Sequence, residues 1–167
     1  ITEGLVGSEM CIRDRVTGAS TGIGYALAQE LAKKGSKLIL TATARSKDKL
    51  HTLADELKSS GTEAHVFIKD LSVIGAAEEL FNEIKSSGLN IDLLINNAGY
   101  GRWGELTSID KDDYASMIQL NVVALTDLCH LCIPDMIAKG EGGIINVGSM
   151  ASLSPIPYAG IYSSTKA

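Results

Sequence analysis

The sequence is organised around an eight-residue segment at positions 17–24, Thr-Gly-Ala-Ser-Thr-Gly-Ile-Gly, which an apolar helical pattern follows directly. Its three glycines allow positive φ angles and let the backbone lie against a ligand without an intervening Cβ. The free N–H groups and the positive dipole end of the next helix suit a pyrophosphate. The spacing is Gly-x-x-x-Gly-x-Gly, not the Gly-x-Gly-x-x-Gly dinucleotide fingerprint, and no Gly-Lys-Ser/Thr of a Walker loop follows. The segment predicts a nucleotide-binding turn, although an ordinary glycine-rich turn remains the alternative.

Helix-like and strand-like patterns alternate after this segment. We predict helices over 22–34, 47–60, 76–87 and 111–139, strands over 38–43, 65–68, 91–95 and 143–147, and a further helix from about 158. Such alternation indicates βαβ units and a parallel sheet with helices on both faces. Ligands of these sheets lie beyond the carboxyl ends of the strands. The glycine segment, Asp70, residues 96–99 and Ser149 all follow predicted strand ends, so we expect them at one edge of the sheet.

Composition excludes several classes of protein. The chain has 167 residues, of which 45% are hydrophobic and 21% are charged, as in an ordinary soluble domain. A net charge of −5 without a basic stripe gives no reason to expect nucleic acid. We find no run that approaches the length of a membrane span and no signal peptide, so no membrane partner is expected. Three cysteines do not make a disulfide framework, and we expect a cytoplasmic protein.

The first fifteen residues do not resemble the strand that should lead into the glycine segment. Positions 8–15 read Ser-Glu-Met-Cys-Ile-Arg-Asp-Arg, and a buried parallel strand there would bury three charged side chains. We therefore interpret residues 1–15 as a leader that is non-native or disordered, and residues 16–167 as the domain. The alternative is a poorly formed first strand that still pairs through its backbone.

Two side chains near residue 167 could carry proton transfer. Tyr162 and Lys166 are four residues apart on a predicted helix and therefore share one face. A free tyrosine keeps its proton at neutral pH, whereas a neighbouring ammonium favours the phenolate. Such a tyrosine could exchange a proton with a substrate oxygen, and Ser149 could hydrogen-bond the same oxygen. Taken alone, Tyr-x-x-x-Lys is more often an ordinary surface pair of a helix.

Taken together, the motifs resemble those of one family. The chain from residue 16 to residue 167 is similar to classical short-chain dehydrogenases/reductases. The motifs that carry the resemblance are Thr17-Gly18-x-x-x-Gly22-x-Gly24, Asn96-Asn97-Ala98-Gly99, Asn121, Ser149 and, thirteen residues later, Tyr162-x-x-x-Lys166. The resemblance implies an α/β fold with a Rossmann-like doubly wound parallel sheet, truncated to about five strands in the order 3-2-1-4-5. It also implies hydride transfer between a nicotinamide cofactor and a carbonyl compound or secondary alcohol.

The resemblance also implies roles for individual residues. Tyr162 would be the catalytic acid/base, Lys166 would favour its phenolate and hold the nicotinamide ribose, and Ser149 would orient the substrate oxygen. Asn121 would hold a water that links Lys166 to solvent. The residues implied to bind the cofactor are Gly18, Ser20, Thr21, Gly22, Ile23, Gly24, Asp70, Leu71, Asn97, Ala98, Gly99, Tyr162 and Lys166.

The choice between NADP(H) and NAD(H) depends on the end of the second predicted strand. An acidic residue there binds the 2′-hydroxyl of NAD, and an arginine accommodates the 2′-phosphate of NADP. This chain has Arg45 and no acidic residue until Asp48, so we favour NADP(H) over NAD(H). Residues 41–44 read Thr-Ala-Thr-Ala, two residues more than the family usually has, which would move Arg45 outward unless the extra pair bulges. The alternative is that Arg45 is a solvated residue at the start of a helix.

The resemblance further implies an incomplete domain, because in the family the Tyr-x-x-x-Lys helix continues and further strands follow. The parent would be a homodimer or homotetramer that acts on a small-molecule carbonyl or alcohol. A second hypothesis is a catalytically inactive nucleotide-binding or regulatory fragment. Cys129 and Cys132 lie in a predicted helix and are expected to be packed, with no metal site. Trp103 follows the fourth predicted strand and could line the substrate site or anchor its loop.

Overall fold

The computed structural model describes residues 13–42 and 46–167, in which strands and helices alternate. The strands are β1 (Arg13–Thr17), β2 (Lys37–Ala42), β3 (Ala64–Ile68), β4 (Leu93–Asn96) and β5 (Gly143–Asn146). The helices are α1 (Gly22–Lys33), α2 (Lys47–Ser59), α3 (Ala76–Ser86), α4 (Lys111–Ile118), α5 (Leu125–Lys139) and α6 (Gly160–Lys166).

The described strands form one parallel sheet in the order β3-β2-β1-β4-β5. The central strand β1 pairs with β2 on one side and with β4 on the other, so that Val16 lies opposite Leu40 and Ile95. The order of the strands reverses between β1 and β4, and this switch point is where sheets of this kind bind ligands. The predicted fold class and strand order are confirmed.

Each face of the sheet is covered by its own apolar cluster. Because successive side chains of a strand point to opposite faces, Ile39 packs with α3 and α5, whereas Leu38 and Leu40 pack with α1 and α2. Helical spacing places the apolar side chains of each helix on the face toward the sheet. The resulting three-layer packing holds the strand ends in place for the site.

Strand β1 differs from the prediction at its first residues. The sequence pattern places Arg13, Asp14 and Arg15 in the leader, yet they pair with β2, and Asp14 and Arg15 also pair with β4. Backbone pairing on both sides therefore outweighs the charged side chains, as in the alternative considered above. Burial lowers the pKa of Arg15 to about 10, and no hydrogen-bond partner for its guanidinium is present in the described part of the chain. Residues 1–12 lie outside the described residues, and the non-native origin of residues 1–15 stays a prediction.

The expectation that no segment reaches the length of a membrane span is wrong for one helix. Among the described residues, the helical segment from Lys111 to Lys139 is long and apolar enough to cross a membrane by length and composition. Core helices of soluble proteins have the same composition, and Leu128, Cys132 and Met136 of this segment are buried in the cluster beneath the sheet. A search for an uninterrupted apolar run does not find this segment, because a few charged residues lie within it.

Candidate active site

The glycine segment forms a tight turn between β1 and α1. Gly18 and Gly22 have φ angles of +65° and +60°, which residues with a Cβ rarely adopt. A Cβ on Gly18 would lie 2.9 Å from Cα of Ala98, and a Cβ on Gly24 would lie 2.5 Å from the carbonyl oxygen of Gly18 and close to Nδ2 of Asn97. The glycines therefore let α1 begin directly against the turn that follows β4.

The turns after β1 and β4 are tied together by a buried hydroxyl. Oγ1 of Thr17 accepts hydrogen bonds from the backbone N–H groups of Asn97 and Ala98, both at 2.9 Å, and donates to the carbonyl oxygen of Ile95 at 3.3 Å. Nδ2 of Asn97 donates in return to the carbonyl oxygens of Thr17 and Gly18. These bonds hold the glycine turn and residues 97–99 as one unit.

A cleft of about 390 Å³ opens above this unit, at the carboxyl edge of the sheet. Ten of the residues predicted from the sequence line it: Gly18, Ser20, Thr21, Ile23, Leu71, Asn97, Ala98, Gly99, Tyr162 and Lys166. The glycine segment, residues 97–99 and the Tyr162–Lys166 pair, all predicted as site residues, therefore meet at this cleft. Arg45 lies outside the described residues, so its role stays a prediction.

Five predicted site residues lie close to the cleft without lining it: Gly22, Gly24, Asp70, Asn121 and Ser149. The carboxylate of Asp70 stabilises the turn after β3. Its Oδ1 accepts hydrogen bonds from the backbone N–H of Ser72 at 3.0 Å and from the Ser72 hydroxyl at 2.6 Å. The neighbouring Leu71 is buried and reaches the cleft. The roles assigned to these residues stay predictions.

Sequence reasoning missed eight residues that line the cleft: Thr41, Ala42, Ser46, Lys69, Tyr100, Leu120, Val147 and Gly148. Lys69 directly follows β3, and Val147 directly follows β5. The rule that ligands lie beyond strand ends could have found these two. No local signal marks Leu120, because its approach to the cleft depends on how its helix crosses the sheet.

Helix α6 brings the two predicted proton-transfer residues into the cleft. Tyr162 and Lys166 share one face of the helix, and both line the cleft. Nζ of Lys166 donates to the carbonyl oxygen of Val147 at 3.1 Å, and partial burial lowers the pKa of Lys166. A Cβ on Gly99 would lie 3.3 Å from this Nζ, so a glycine at position 99 leaves room for the ammonium.

Asn121 lies in a six-residue π-helical segment, Gln119–Ala124, between α4 and α5. Its Oδ1 accepts from the N–H of Tyr100 at 3.2 Å, and its Nδ2 donates at 2.9 Å to both the carbonyl oxygen of Tyr100 and Oγ1 of Thr165. The buried amide therefore joins the loop after β4 to α6. Widened π turns free backbone groups and are frequent at functional sites.

Ser149 begins a short 3₁₀ turn, Met150–Ser152, two residues after Val147 at the end of β5. Its Oγ accepts from the N–H of Ala151 at 3.1 Å, which leaves the hydroxyl hydrogen available for another acceptor. The 3₁₀ turn packs against α6, the helix that carries Tyr162. Ser149 is thus held next to the cleft by the turn that it caps.

The two cysteines of α5 pack in or against the apolar cluster that contains Ile39. Burial raises the pKa of Cys132 to about 11, and it also raises the pKa of Cys129, whose Sγ lies 3.3 Å from Nδ2 of Asn96. Thiols with raised pKa values are poor nucleophiles and poor metal ligands. Within residues 13–42 and 46–167, no three His, Cys, Asp or Glu side chains are grouped as metal ligands would be.

Comparison with protein families gives a match over residues 15–167 to the family described as short chain dehydrogenase. The chain is 34% identical over 157 residues to a very-long-chain 3-oxoacyl-CoA reductase of Homo sapiens, covering 90% of this chain and 49% of the reductase. It is 36% identical over 159 residues to the same enzyme of Anas platyrhynchos, with 91% and 49% coverage. The chain thus spans about half the length of the curated relatives that it matches.

Solved structures with the same fold include two with a bound cofactor. A metagenomic short-chain oxidoreductase in complex with NADP has a TM-score of 0.85 and 33% identity, over 93% of this chain and 70% of that one. A short-chain dehydrogenase from Sphingobium yanoikuyae in complex with NADPH has a TM-score of 0.85 and 31% identity, over 93% and 60%.

Proposed function

The chain belongs to the short-chain dehydrogenase family, and on that premise we propose that it carries the cofactor-binding and proton-transfer residues of an NADP(H)-dependent oxidoreductase. The reaction is hydride transfer between nicotinamide and a carbonyl compound or secondary alcohol. One observation carries the proposal: Tyr162 and Lys166 line the same cleft as the glycine turn. That arrangement brings a proton donor next to a dinucleotide site.

The composition of the cleft fits a dinucleotide. Its volume of about 390 Å³ lies within the usual range for ligand sites. Two cations, Lys69 and Lys166, and the hydroxyls of Ser20, Thr21 and Ser46 line it. Among the described residues that line the cleft there is no acidic side chain, although the whole chain has a net charge of −5. A local excess of positive charge in an acidic protein favours an anionic ligand such as a pyrophosphate.

In this proposal the side chains manage the proton while the cofactor supplies the hydride. The hydroxyl of Tyr162 donates its proton to the carbonyl oxygen of the substrate. The ammonium of Lys166 stabilises the resulting phenolate and binds the ribose. Ser149 donates its free hydroxyl hydrogen to the same substrate oxygen. Lys166 then passes a proton to the phenolate of Tyr162, and a water held at Asn121 replaces the proton that Lys166 gave up.

Preference for NADP(H) is the finer part of the proposal. It is supported by Arg45 in the sequence, by Lys69 at the end of β3 and by the NADP and NADPH complexes of the two similar structures. The ammonium of Lys69 also lies 3.4 Å from a carboxylate oxygen of Glu79, so it is not wholly available to a phosphate. We therefore expect Arg45 to make the main contribution.

Titration of this chain with NADPH and with NADH, followed by nucleotide fluorescence, tests the cofactor. We expect tighter binding of NADPH, and Arg45→Ala should weaken it at least about tenfold because a charge-assisted contact of about 1.5–3 kcal/mol is lost. Arg102→Ala is the matched control, since Arg102 pairs with Asp113 and does not line the cleft. Equal affinities for the two nucleotides would refute the NADP(H) preference.

Turnover tests the role of Tyr162. We expect Tyr162→Phe to lower the rate of ketone reduction by about 10²–10⁴-fold while nucleotide binding is retained. Unchanged turnover in this variant would refute the role. Nucleotide binding without any turnover in the unmutated chain would instead support the inactive nucleotide-binding hypothesis.

Self-association and a cytoplasmic location are further proposals. Five apolar residues between Ile118 and Ile137 are exposed: Ile118, Val122, Val123, Ile133 and Ile137. Exposed apolar surface of this extent supports a contact with a second copy in a dimer or tetramer. Light scattering of the purified protein tests the oligomeric state, and co-sedimentation with lipid vesicles would contradict the cytoplasmic location.

A further inference from the structure

The loop that follows β4 is held firmly on both sides of Trp103. Before it, the side-chain amide of Asn121 is hydrogen-bonded to both the N–H and the carbonyl oxygen of Tyr100. The Tyr100 hydroxyl donates to the carbonyl oxygen of Asp113 at 3.1 Å. After it, the N–H of Gly104 donates to the carbonyl oxygen of Tyr158 at 2.9 Å. Trp103 is therefore presented from a fixed loop.

The indole of Trp103 packs against the ring of Tyr162. The ring centroids are 5.3 Å apart and the planes are tilted by 40°, a favourable geometry for an aromatic pair. A Cβ on Gly101 would lie 2.7 Å from Cζ3 of Trp103 and 2.9 Å from Cδ2 of Tyr162. Glycine at position 101 therefore leaves the space in which the two rings meet.

Trp103 is too exposed to act only as an anchor for its loop. Its relative exposure is 58%, whereas a residue that anchors a loop buries most of its surface. Two large apolar side chains that follow Ser149, Met150 and Leu153, are exposed as well. Exposed apolar surface thus lies on the loop of Trp103, whose indole contacts Tyr162, and beside Ser149, in a turn that packs against the helix of Tyr162. Covering such surface with an apolar ligand is favourable.

We propose that Trp103 is a specificity-determining residue that packs against an apolar substituent next to the substrate carbonyl. The inference rests on the proposed function. The oxygen of the bound ketone faces Tyr162, and its larger substituent lies on the indole. The substrate class is therefore ketones with a bulky alicyclic or aryl group, in preference to short or polar ones.

Fluorescence provides a direct test because Trp103 is the single tryptophan of the chain. The chain is saturated with NADP⁺, which cannot reduce a ketone, and is titrated with cyclohexyl methyl ketone or with acetone. Both ketones have the same methyl ketone group and differ in the apolar substituent. We expect a saturable blue shift of the emission with cyclohexyl methyl ketone only. The same response to both ketones, or to neither, would overturn the inference.

Kinetics with NADPH separate a substrate contact from a structural role. We expect Trp103→Ala to raise KM for cyclohexyl methyl ketone about tenfold, with a smaller change in kcat. KM and kcat for acetone should change little. Trp103→Phe should bring KM for cyclohexyl methyl ketone most of the way back, because phenylalanine keeps an aromatic ring. Leu106→Ala is the control, because Leu106 is an exposed apolar residue of the same region (66%) that does not line the cleft. A uniform loss of kcat for both ketones would mean that Trp103 acts structurally. Absence of NADP⁺ and NADPH binding would instead refute the proposed function itself and the inference with it.

Discussion

Two threonines that lie opposite each other in the sheet allow a sharp test of how the site is held. Thr17 on β1 is the register partner of Thr41 on β2, and both are 1% exposed. The Thr17 hydroxyl takes part in three hydrogen bonds, two of them from the N–H groups of Asn97 and Ala98. The Thr41 hydroxyl has no hydrogen-bond partner in the described part of the chain. Thr→Val removes the hydroxyl at either position with almost no change in volume.

The expected effects differ in sign. Thr17→Val leaves two amide N–H groups without an acceptor at the cost of about 1–3 kcal/mol each, so the free energy of unfolding should fall by about 2–6 kcal/mol. Thr41→Val removes a buried hydroxyl that lacks a partner, so it should be neutral or stabilising by about 1 kcal/mol. A chain of this size can lose most of its stability through the first change.

Urea denaturation of the two variants and the unmutated chain, followed by circular dichroism, measures the difference. We expect the midpoint to fall for Thr17→Val and to stay or rise for Thr41→Val, with the same m-value if the unfolded states are alike. The turn after β4 should also loosen, so NADPH binding should weaken in Thr17→Val. Equal destabilisation by both substitutions would refute the reasoning, because it would mean that the hydrogen bonds of Thr17 contribute nothing specific.

Three further predictions follow from local geometry and charge. Gly24→Ala should lower the melting temperature, because the added Cβ would lie 2.5 Å from the carbonyl oxygen of Gly18. This clash should outweigh the preference of about 1 kcal/mol that alanine has for a helix. A higher melting temperature in thermal denaturation would contradict the prediction. Burial lowers the pKa of Lys166, so the unfolded state binds more protons than the folded state as the pH rises toward 10.5. The stability of the unmutated chain should therefore rise between pH 7 and pH 10 relative to that of Lys166→Met. The same change of urea midpoint with pH in both proteins would contradict this. Lys37 and His65 hold the pKa of Glu63 at about 2, so the stability that Glu63 contributes should be lost as the pH falls from 4.5 to 2. Glu63→Gln should lack this loss in acid denaturation. Identical acid denaturation curves for the variant and the unmutated chain would rule the effect out.

The strand that opens the domain illustrates where the sequence misleads. Its charged residues Arg13, Asp14 and Arg15 contradict the pattern of a buried parallel strand, and a rule based on side-chain burial assigns them elsewhere. In the structure they are paired through their backbones with β2 and, for the last two, with β4. A central strand gains hydrogen bonds on both sides, and that gain depends on neighbours that are far away in the sequence.

The sequence by itself determined the fold class, and the resemblance of its motifs to a known family implied the sheet order and ten of the residues that line the cleft. Apolar periodicity, the glycines of the turn and the four-residue spacing of Tyr162 and Lys166 are local properties that can be read without coordinates. Only the tertiary structure decided that Trp103 packs on Tyr162 and that the ammonium of Lys166 donates a hydrogen bond to the carbonyl oxygen of Val147. Such contacts join segments brought together by strand register and helix crossing, which leave no periodic trace in the chain.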